Sequence, residues 1–584
     1  GGCRSLSGTS VASPVVAGAV TLLASVVPVE RRWKILNPGV MKQALVEGAD
    51  VIPGSPMIYE QGAGKLNLHA SREILRDYEP RASLVPGSLD FTACPYMWPH
   101  CRQALYHGAM PFMFNATVVN GMGLTGWLEA APVWTPTDGD DGDAGDRSFD
   151  LGKHLDVRFE FSDVLWPYSG YLAFYARVKK SASALEGVAS GVITFTVLSP
   201  PGPDETTLRR STVHVPVKFQ VIKTPPREKR VLWSQYHSVR YPPGYVPRDN
   251  LDAKNDILDW HGDHPHTNYH GMYDALRDKG YFLEILGSPL TCFDASNYGA
   301  LMLVDAEEEY SDAEVKKLRD DVVREGLGVF VVGDWYNVKQ MESMRFFDDN
   351  THSHWTPVTG GANVPALNDL LKPFGFAFGD RILHGAATLN GQAVAIASGA
   401  NIARVPAGAF VHKGFVADKA PKGGGGGGGK AAVSGGNGNK EHVVAAFFQV
   451  PREGGRGGDG DDSDDDAVRS PAGRLAIYGD SNCLDSSHTS APCFPFLGNV
   501  LEFLTENAKD TGLTSDKNLA SEPYDNGEEL PVRRTDVDFD SLSTTRGGTP
   551  GNEGLNRCGP NSPIEFWQSA GGSGKIDDGH PDAK

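Results

Sequence analysis

The chain has 584 residues, too many for one domain and enough for roughly three to five. Its composition, 40% hydrophobic and 22% charged, is that of an ordinary folded protein. A net charge of −19 excludes the basic surface that a nucleic-acid-binding protein needs.

The first informative stretch is Leu6-Ser7-Gly8-Thr9-Ser10-Val11-Ala12-Ser13-Pro14. Gly8 permits a tight backbone turn, and Pro14 falls in a first helical turn, where its missing N–H costs little. Ser10 is thereby predicted at a helix start, where free N–H groups and the positive dipole end favour a developing oxyanion. Residues 11–29 carry no charge, so length alone permits a membrane span. Pro14, Pro28 and the small residues Ala12, Ala17, Gly18 and Ala19 instead predict a slim helix buried in a packed core.

Asn37-Pro38 reads as a helix cap followed by a first-turn proline. Val40, Met41, Ala44 and Leu45 give the apolar stripe of that helix, and Gln61-Gly62-Ala63-Gly64-Lys65-Leu66-Asn67 reads as a turn.

From residue 80 to 225 the pattern becomes short strands: Val85–Phe91, Phe112–Val119, Leu155–Phe161, Tyr171–Val178, Gly191–Val197 and Val213–Val221. Together they predict a β-sandwich, interrupted at Asp138–Asp146 by an acidic loop. Phe149 stands where a calcium loop would carry its glutamate, so that loop reads as solvated acid. Asn115-Ala116-Thr117 is a glycosylation sequon if the chain is lumenal.

Residues 228–510 alternate strand and helix. Apolar runs at 231–233, 281–286, 300–304, 328–332 and 475–478 read as buried strands, with helices near 268–279, 311–325, 363–372 and 494–506. This predicts an α/β domain with a mostly parallel sheet. Three strands end in an acid, Asp305, Asp334 and Asp480. They either cap the following helices or mark a ligand crevice at the carboxyl ends of the strands.

His261, His264, His266 and His270 with Asp263 form the one histidine cluster. Pro265 breaks it and no zinc spacing is present, so it reads as a helix-entry loop or a sensor of mild acidity. Residues 418–440 and 452–470 are low-complexity inserts, and 511–584 lack apolar periodicity, which predicts a disordered tail. Cys94/Cys101 and Cys483/Cys493 are close pairs able to bridge in an oxidising lumen.

The pattern Gly8-Thr9-Ser10-x-Ala12-x-Pro14 resembles the nucleophile motif of the subtilisin-like serine proteases, and the 61–67 turn resembles the one that closes their catalytic domain. Val304–Tyr310, Asp334–Asn337, Thr359–Asn363 and Tyr478–Asp485 resemble the site-1 protease branch of that family. The resemblance implies that residues 1–78 are the C-terminal part of a subtilase domain with Ser10 as nucleophile. Its Asp and His partners precede the Ser in this family, so neither is expected in this chain, which alone is predicted to be inactive. It also implies lumenal segments of membrane-bound transcription-factor precursors as substrates, an ER or Golgi location, and a membrane anchor. No organic cofactor is implied; calcium is, without assignable ligands. The rival readings are a non-catalytic scaffold that binds partners, and an esterase built on Gly479-Asp480-Ser481 with His488. The latter resembles the GDSL motif in the wrong part of its domain.

Overall fold

The computed structural model describes residues 5–54, 57–137, 151–202, 204–239, 241, 245–251, 258–259, 262–418, 440–451, 472–486, 492–506, 512–537 and 543. The acidic loop at 138–146, His261, His488 and nearly all of both low-complexity inserts lie outside these. The chain divides into two compact units, Gly1–Thr224 and Pro225–Lys584.

The first unit opens with five helices, α1 (Thr9–Val26), α2 (Val29–Ile35), α3 (Pro38–Glu47), α4 (Ile58–Gln61) and α5 (Leu68–Arg76). Asn37 caps α3 by accepting from the Val40 N–H, and Asn67 caps α5 by accepting from the Ala70 N–H. Leu23, Ile35, Val40, Ala44, Leu75 and Tyr78 form the small core of this bundle. The buried-helix expectation for α1 is corrected: only Ala19 and Leu23 are buried, while Val15 and Leu22 are 65% and 58% exposed. The helix is long and apolar enough to cross a membrane by length and composition only.

Nine strands follow: β1 (Ala82–Val85), β2 (Leu89–Asp90), β3 (Phe112–Asn120), β4 (Trp127–Leu128), β5 (Val133–Pro136), β6 (Leu155–Phe161), β7 (Ser169–Val178), β8 (Gly187–Ser199) and β9 (Arg209–Val221). They form two sheets, ordered β1-β3-β7-β6 and β2-β9-β8-β4, with β5 also on β8. In β9 the side chains of Val215, Val217, Phe219 and Val221 are buried and those between them exposed, the alternation a half-buried strand requires. The strand expected over Val85–Phe91 is two pieces, because Pro86 has no N–H to give a ladder and Gly87 favours a bend. The Cys94–Cys101 disulfide is formed.

The second unit contains β10 (Arg230–Ser234), β11 (Val246–Pro247), β12 (Leu258–Asp259), α6 (His270–Asp278), β13 (Phe282–Leu286), β14 (Ala300–Val304), α7 (Asp312–Glu325), β15 (Gly328–Val332), α8 (Val338–Ser343), β16 (Phe346–Asp348), β17 (Ser353–Trp355), α9 (Val364–Leu371), β18 (Ala377–Leu389), β19 (Gln392–Val405), β20 (Phe410–Asp418), β21 (Lys440–Gln449), β22 (Arg474–Tyr478), α10 (Phe494–Thr505) and β23 (Tyr524–Asp525). Ten of these strands form one sheet, in the order β13-β10-β14-β15-β22-β21-β20-β18-β19-β23. The five from β13 to β22 run parallel. Every residue of β14 and β15 is buried, as expected of a sheet covered on both faces. Each buried Leu or Val there contributes roughly 1.5–3 kcal/mol.

The mostly parallel sheet is corrected. From β22 onward every pairing is antiparallel, so half of the sheet is antiparallel, with β18 lying between β19 and β20. Helix α7 is closed by a Ser311–Glu314 capping box at one end and left-handed Gly326 at the other. The Cys483–Cys493 disulfide ties the end of β22 to the start of α10.

The disordered tail is corrected for its first part. Tyr524–Asp525 adds β23 to β19. Arg533 forms a two-pronged ion pair with Glu309 at 2.8 and 2.7 Å, and Ser543 donates to Glu308 at 2.6 Å. Polar and backbone contacts, which leave no apolar period, hold this segment.

Candidate functional sites

Ser10 is exposed in the first turn of α1. Gly8 sits before it at φ 142°, a conformation that L side chains rarely adopt. No side chain caps this helix start. The Gly8 carbonyl accepts from Val11 and Ala12 N–H at 3.1 and 3.2 Å, so the helix begins immediately at the motif. No acid or histidine follows Ser10 before Glu30.

The second site is acidic. Strands β14, β15 and β22 are neighbours, so the residues after their carboxyl ends converge on one edge. Those residues are Asp305, Asp334 and Asp480, each at most 1% exposed. The capping alternative is corrected, because the following helices are capped by Ser311 and Asn337 and begin after Cys493. Asp334 accepts from the Trp335 N–H at 2.8 Å and from Asn482 Nδ2 at 2.7 Å. Asp480 accepts from the Ala397 N–H at 2.9 Å and from Asn482 Nδ2 at 2.9 Å. Asp305 differs. It is held at φ 46°, an uncommon backbone for a residue with a side chain. The Tyr269 hydroxyl donates to its Oδ2 at 2.9 Å, and its buried Oδ1 has no hydrogen-bond partner.

Two further aspartates join the cluster, beside the buried Glu307, which burial and Asp263 raise to about 8. Asp249 is placed by its carbonyl, which accepts from Trp335 Nε1 at 2.9 Å. Asp263 is placed by Gln235 Nε2, which donates to its carbonyl at 2.8 Å, and by Asn268 Nδ2, which donates to its Oδ1 at 2.7 Å. One carboxylate oxygen from each of Asp249, Asp263 and Asp305 lies within 4.8 Å of the others. Gly361 makes room: a Cβ there would stand 2.9 Å from Asp334 Cβ and 3.1 Å from Asp249 Oδ1.

Burial, then the mutual repulsion of these carboxylates, pushes Asp249, Asp305 and Asp334 well above the usual carboxylate range. Burial raises Asp480 to about 6. Such a cluster favours retained protons or a bound cation over bare charge.

Ser481, the esterase candidate, is 1% exposed and its hydroxyl donates to Asp334 at 3.3 Å. Among the described residues, His264, His266 and His270 do not gather as ligands: His264 Nδ1 accepts from the His266 N–H at 2.9 Å, and burial lowers the His264 imidazole to about 4. Asn115 is exposed on β3, opposite Ala173. Asp305, Asp334 and Asp480 were visible in the sequence as acids at strand ends. Asp249 was not, since it stands in an irregular segment without periodicity, and Asp263 showed only as a neighbour of histidines.

Residues 225–519 match the family described as the fourth, GATase-like domain of MBTPS1, and residues 85–224 match its third, Ig-like domain. The chain belongs to the site-1 protease family. It is 48% identical over 571 residues to the subtilisin-like protease SBT6.1 of Arabidopsis thaliana, covering 98% of this chain and 51% of that protein. It is 45% identical over 539 residues to the membrane-bound transcription factor site-1 protease of Homo sapiens, covering 91% of this chain and 47% of that protein. The rat relative is likewise 45% identical. The chain spans about half the length of these relatives.

Proposed function

We propose that this chain is the nucleophile-bearing part of a subtilisin-like serine endopeptidase of the site-1 protease kind. The observation that carries the reading is Ser10, exposed at the uncapped start of α1 behind Gly8 in the Gly-Thr-Ser-x-Ala-x-Pro pattern. Ser10 Oγ attacks the scissile carbonyl carbon, and the helix start stabilises the resulting oxyanion. A general base takes the hydroxyl proton and returns it to the leaving amine; water then hydrolyses the acyl-serine. That base and the carboxylate orienting it are proposed to lie in a part of the protein outside these 584 residues.

The relatives' names support protein substrates, proposed here as lumenal segments of membrane-bound transcription-factor precursors. They equally support a membrane-associated setting in the secretory pathway, where the Cys94–Cys101 and Cys483–Cys493 disulfides form and Asn115 accepts a glycan. The test is cleavage of such a segment by the full-length protein and its Ser10→Ala form. The expected loss is at least about 10³-fold. Retained cleavage by Ser10→Ala overturns the nucleophile, and turnover by the 584-residue chain alone overturns the external base.

A further inference from the structure

We infer that Asp249, Asp263 and Asp305 hold a hard divalent cation at the carboxyl edge of the parallel half-sheet. The argument begins with Asp305. Its Oδ1 is buried and unpartnered, although its other oxygen accepts from Tyr269 at 2.9 Å. Leaving a buried acceptor unmade is costly, and more so for a charged group. The missing partner is not a nearby protein cation: the charged neighbours acting most strongly on Asp305 are Asp263 and Asp480, both acidic, and the Ser481 hydroxyl beside it is directed to Asp334 at 3.3 Å.

The three ligand oxygens span no more than 4.8 Å. Two oxygens on opposite sides of a calcium ion, each at about 2.3–2.6 Å, are separated by a comparable distance. An all-oxygen set with no thiol or imidazole selects calcium or magnesium over zinc or copper. The surroundings are also those of a built site. Asp263 is oriented by Asn268, Asp249 by the carbonyl bond from Trp335, and Gly361 keeps the cluster clear of a side chain. Asp334 and Asp480 already have several donors each, so they supply negative potential beside the ion. The ion would fasten the irregular segment 245–251 and the 262–268 loop to the end of β14, in a unit remote in sequence from Ser10.

The experiment uses the 584-residue chain after chelation, at about 0.15 M salt to screen the exposed acidic runs. Terbium is the probe, with emission sensitised through Trp335 and Tyr269, and calcium and magnesium are the competitors. The wild type is expected to give sensitised emission that calcium or magnesium displaces, and a rise in unfolding temperature with the displacing ion. Displacement by calcium alone assigns a calcium site; displacement by both assigns a site that takes either ion. Asp305→Asn keeps an acceptor for Tyr269 and is expected to weaken binding at least tenfold with an unchanged circular dichroism spectrum. Should that variant not fold, Asp263→Asn, on the half-buried loop, carries the same expectation. Emission that neither ion displaces, or affinity unaltered in the variants, overturns the site.

Discussion

Tyr269 and Asp305 form a buried pair in which one hydroxyl serves one carboxylate oxygen, at 2.9 Å, and the other oxygen is left alone. Tyr269 lies just before α6 and Asp305 just after β14, so the bond joins a helix entry to a strand exit. Replacing Tyr269 by Phe removes the donor without changing the ring. Asp305 Oδ2 then loses this donor while Oδ1 still has none. The expected cost is about 1–3 kcal/mol, read by urea unfolding of the chelated protein, and a wild-type midpoint would refute it.

Gly479 stands where the parallel half of the sheet meets the antiparallel half. Its carbonyl accepts from the Ala400 N–H at 2.6 Å, and its own N–H donates to the Val444 carbonyl at 3.1 Å. A Cβ there would lie 2.0 Å from the Ala400 carbonyl oxygen. Gly479→Ala therefore has to move a strand, not a side chain. A loss of more than about 3 kcal/mol, or failure to accumulate as folded protein, is expected.

Arg533 pairs with Glu309, which is 7% exposed, and also with Asp369 at 2.6 Å. Truncation to Ala leaves a buried carboxylate short of its counter-charge, and because the arginine itself is partly exposed the cost is about 1–2 kcal/mol. The sharper readout is local. Amide exchange in residues 520–537 should quicken in Arg533→Ala while the amides of β14 and β15 stay protected.

His100 gives the first unit an acid sensitivity. Its ring packs edge-on against Phe91, Phe112 and Phe114, and Nε2 bonds the Tyr59 hydroxyl at 2.9 Å. Burial lowers it from 6.5 to about 4. Between those values the unfolded chain binds a proton that the folded one refuses. Stability is thus fully present above pH 6.5 and falls as pH drops toward 4, by on the order of 3 kcal/mol. Thermal unfolding of the first unit across that range should flatten in His100→Gln once its own baseline is subtracted.

The parallel strands were legible because each is a short run of branched apolar residues with both faces covered, as in Ala300–Val304. In the antiparallel half the run Val443–Val450 reads as a strand and forms most of β21, but the two longest strands were not legible. Ala377–Leu389 and Gln392–Val405 mix Gly, Ala, Asp, Arg and His, and bulges in their pairing break any period of two. The acids at the ends of the parallel strands could be named from sequence, but their meeting could not. Their convergence depends on strand order, and Asp249 arrives from a segment that carries no pattern. The region 512–537 misled because its order comes from arginine pairs and a two-residue strand, neither of which has hydrophobic periodicity.

The antiparallel half of the sheet also explains where the chain tolerates its two low-complexity inserts. Val416 pairs with Lys440, and Gln449 pairs with Arg474, so each insert departs and returns at adjacent rungs of one ladder. The strand register is set without reference to the length between those rungs. Closing a longer connection costs only about 0.6 kcal/mol per doubling. These two points are therefore ports: a fluorescent reporter or an affinity epitope placed at either should be carried without disturbing the acidic edge on the parallel side.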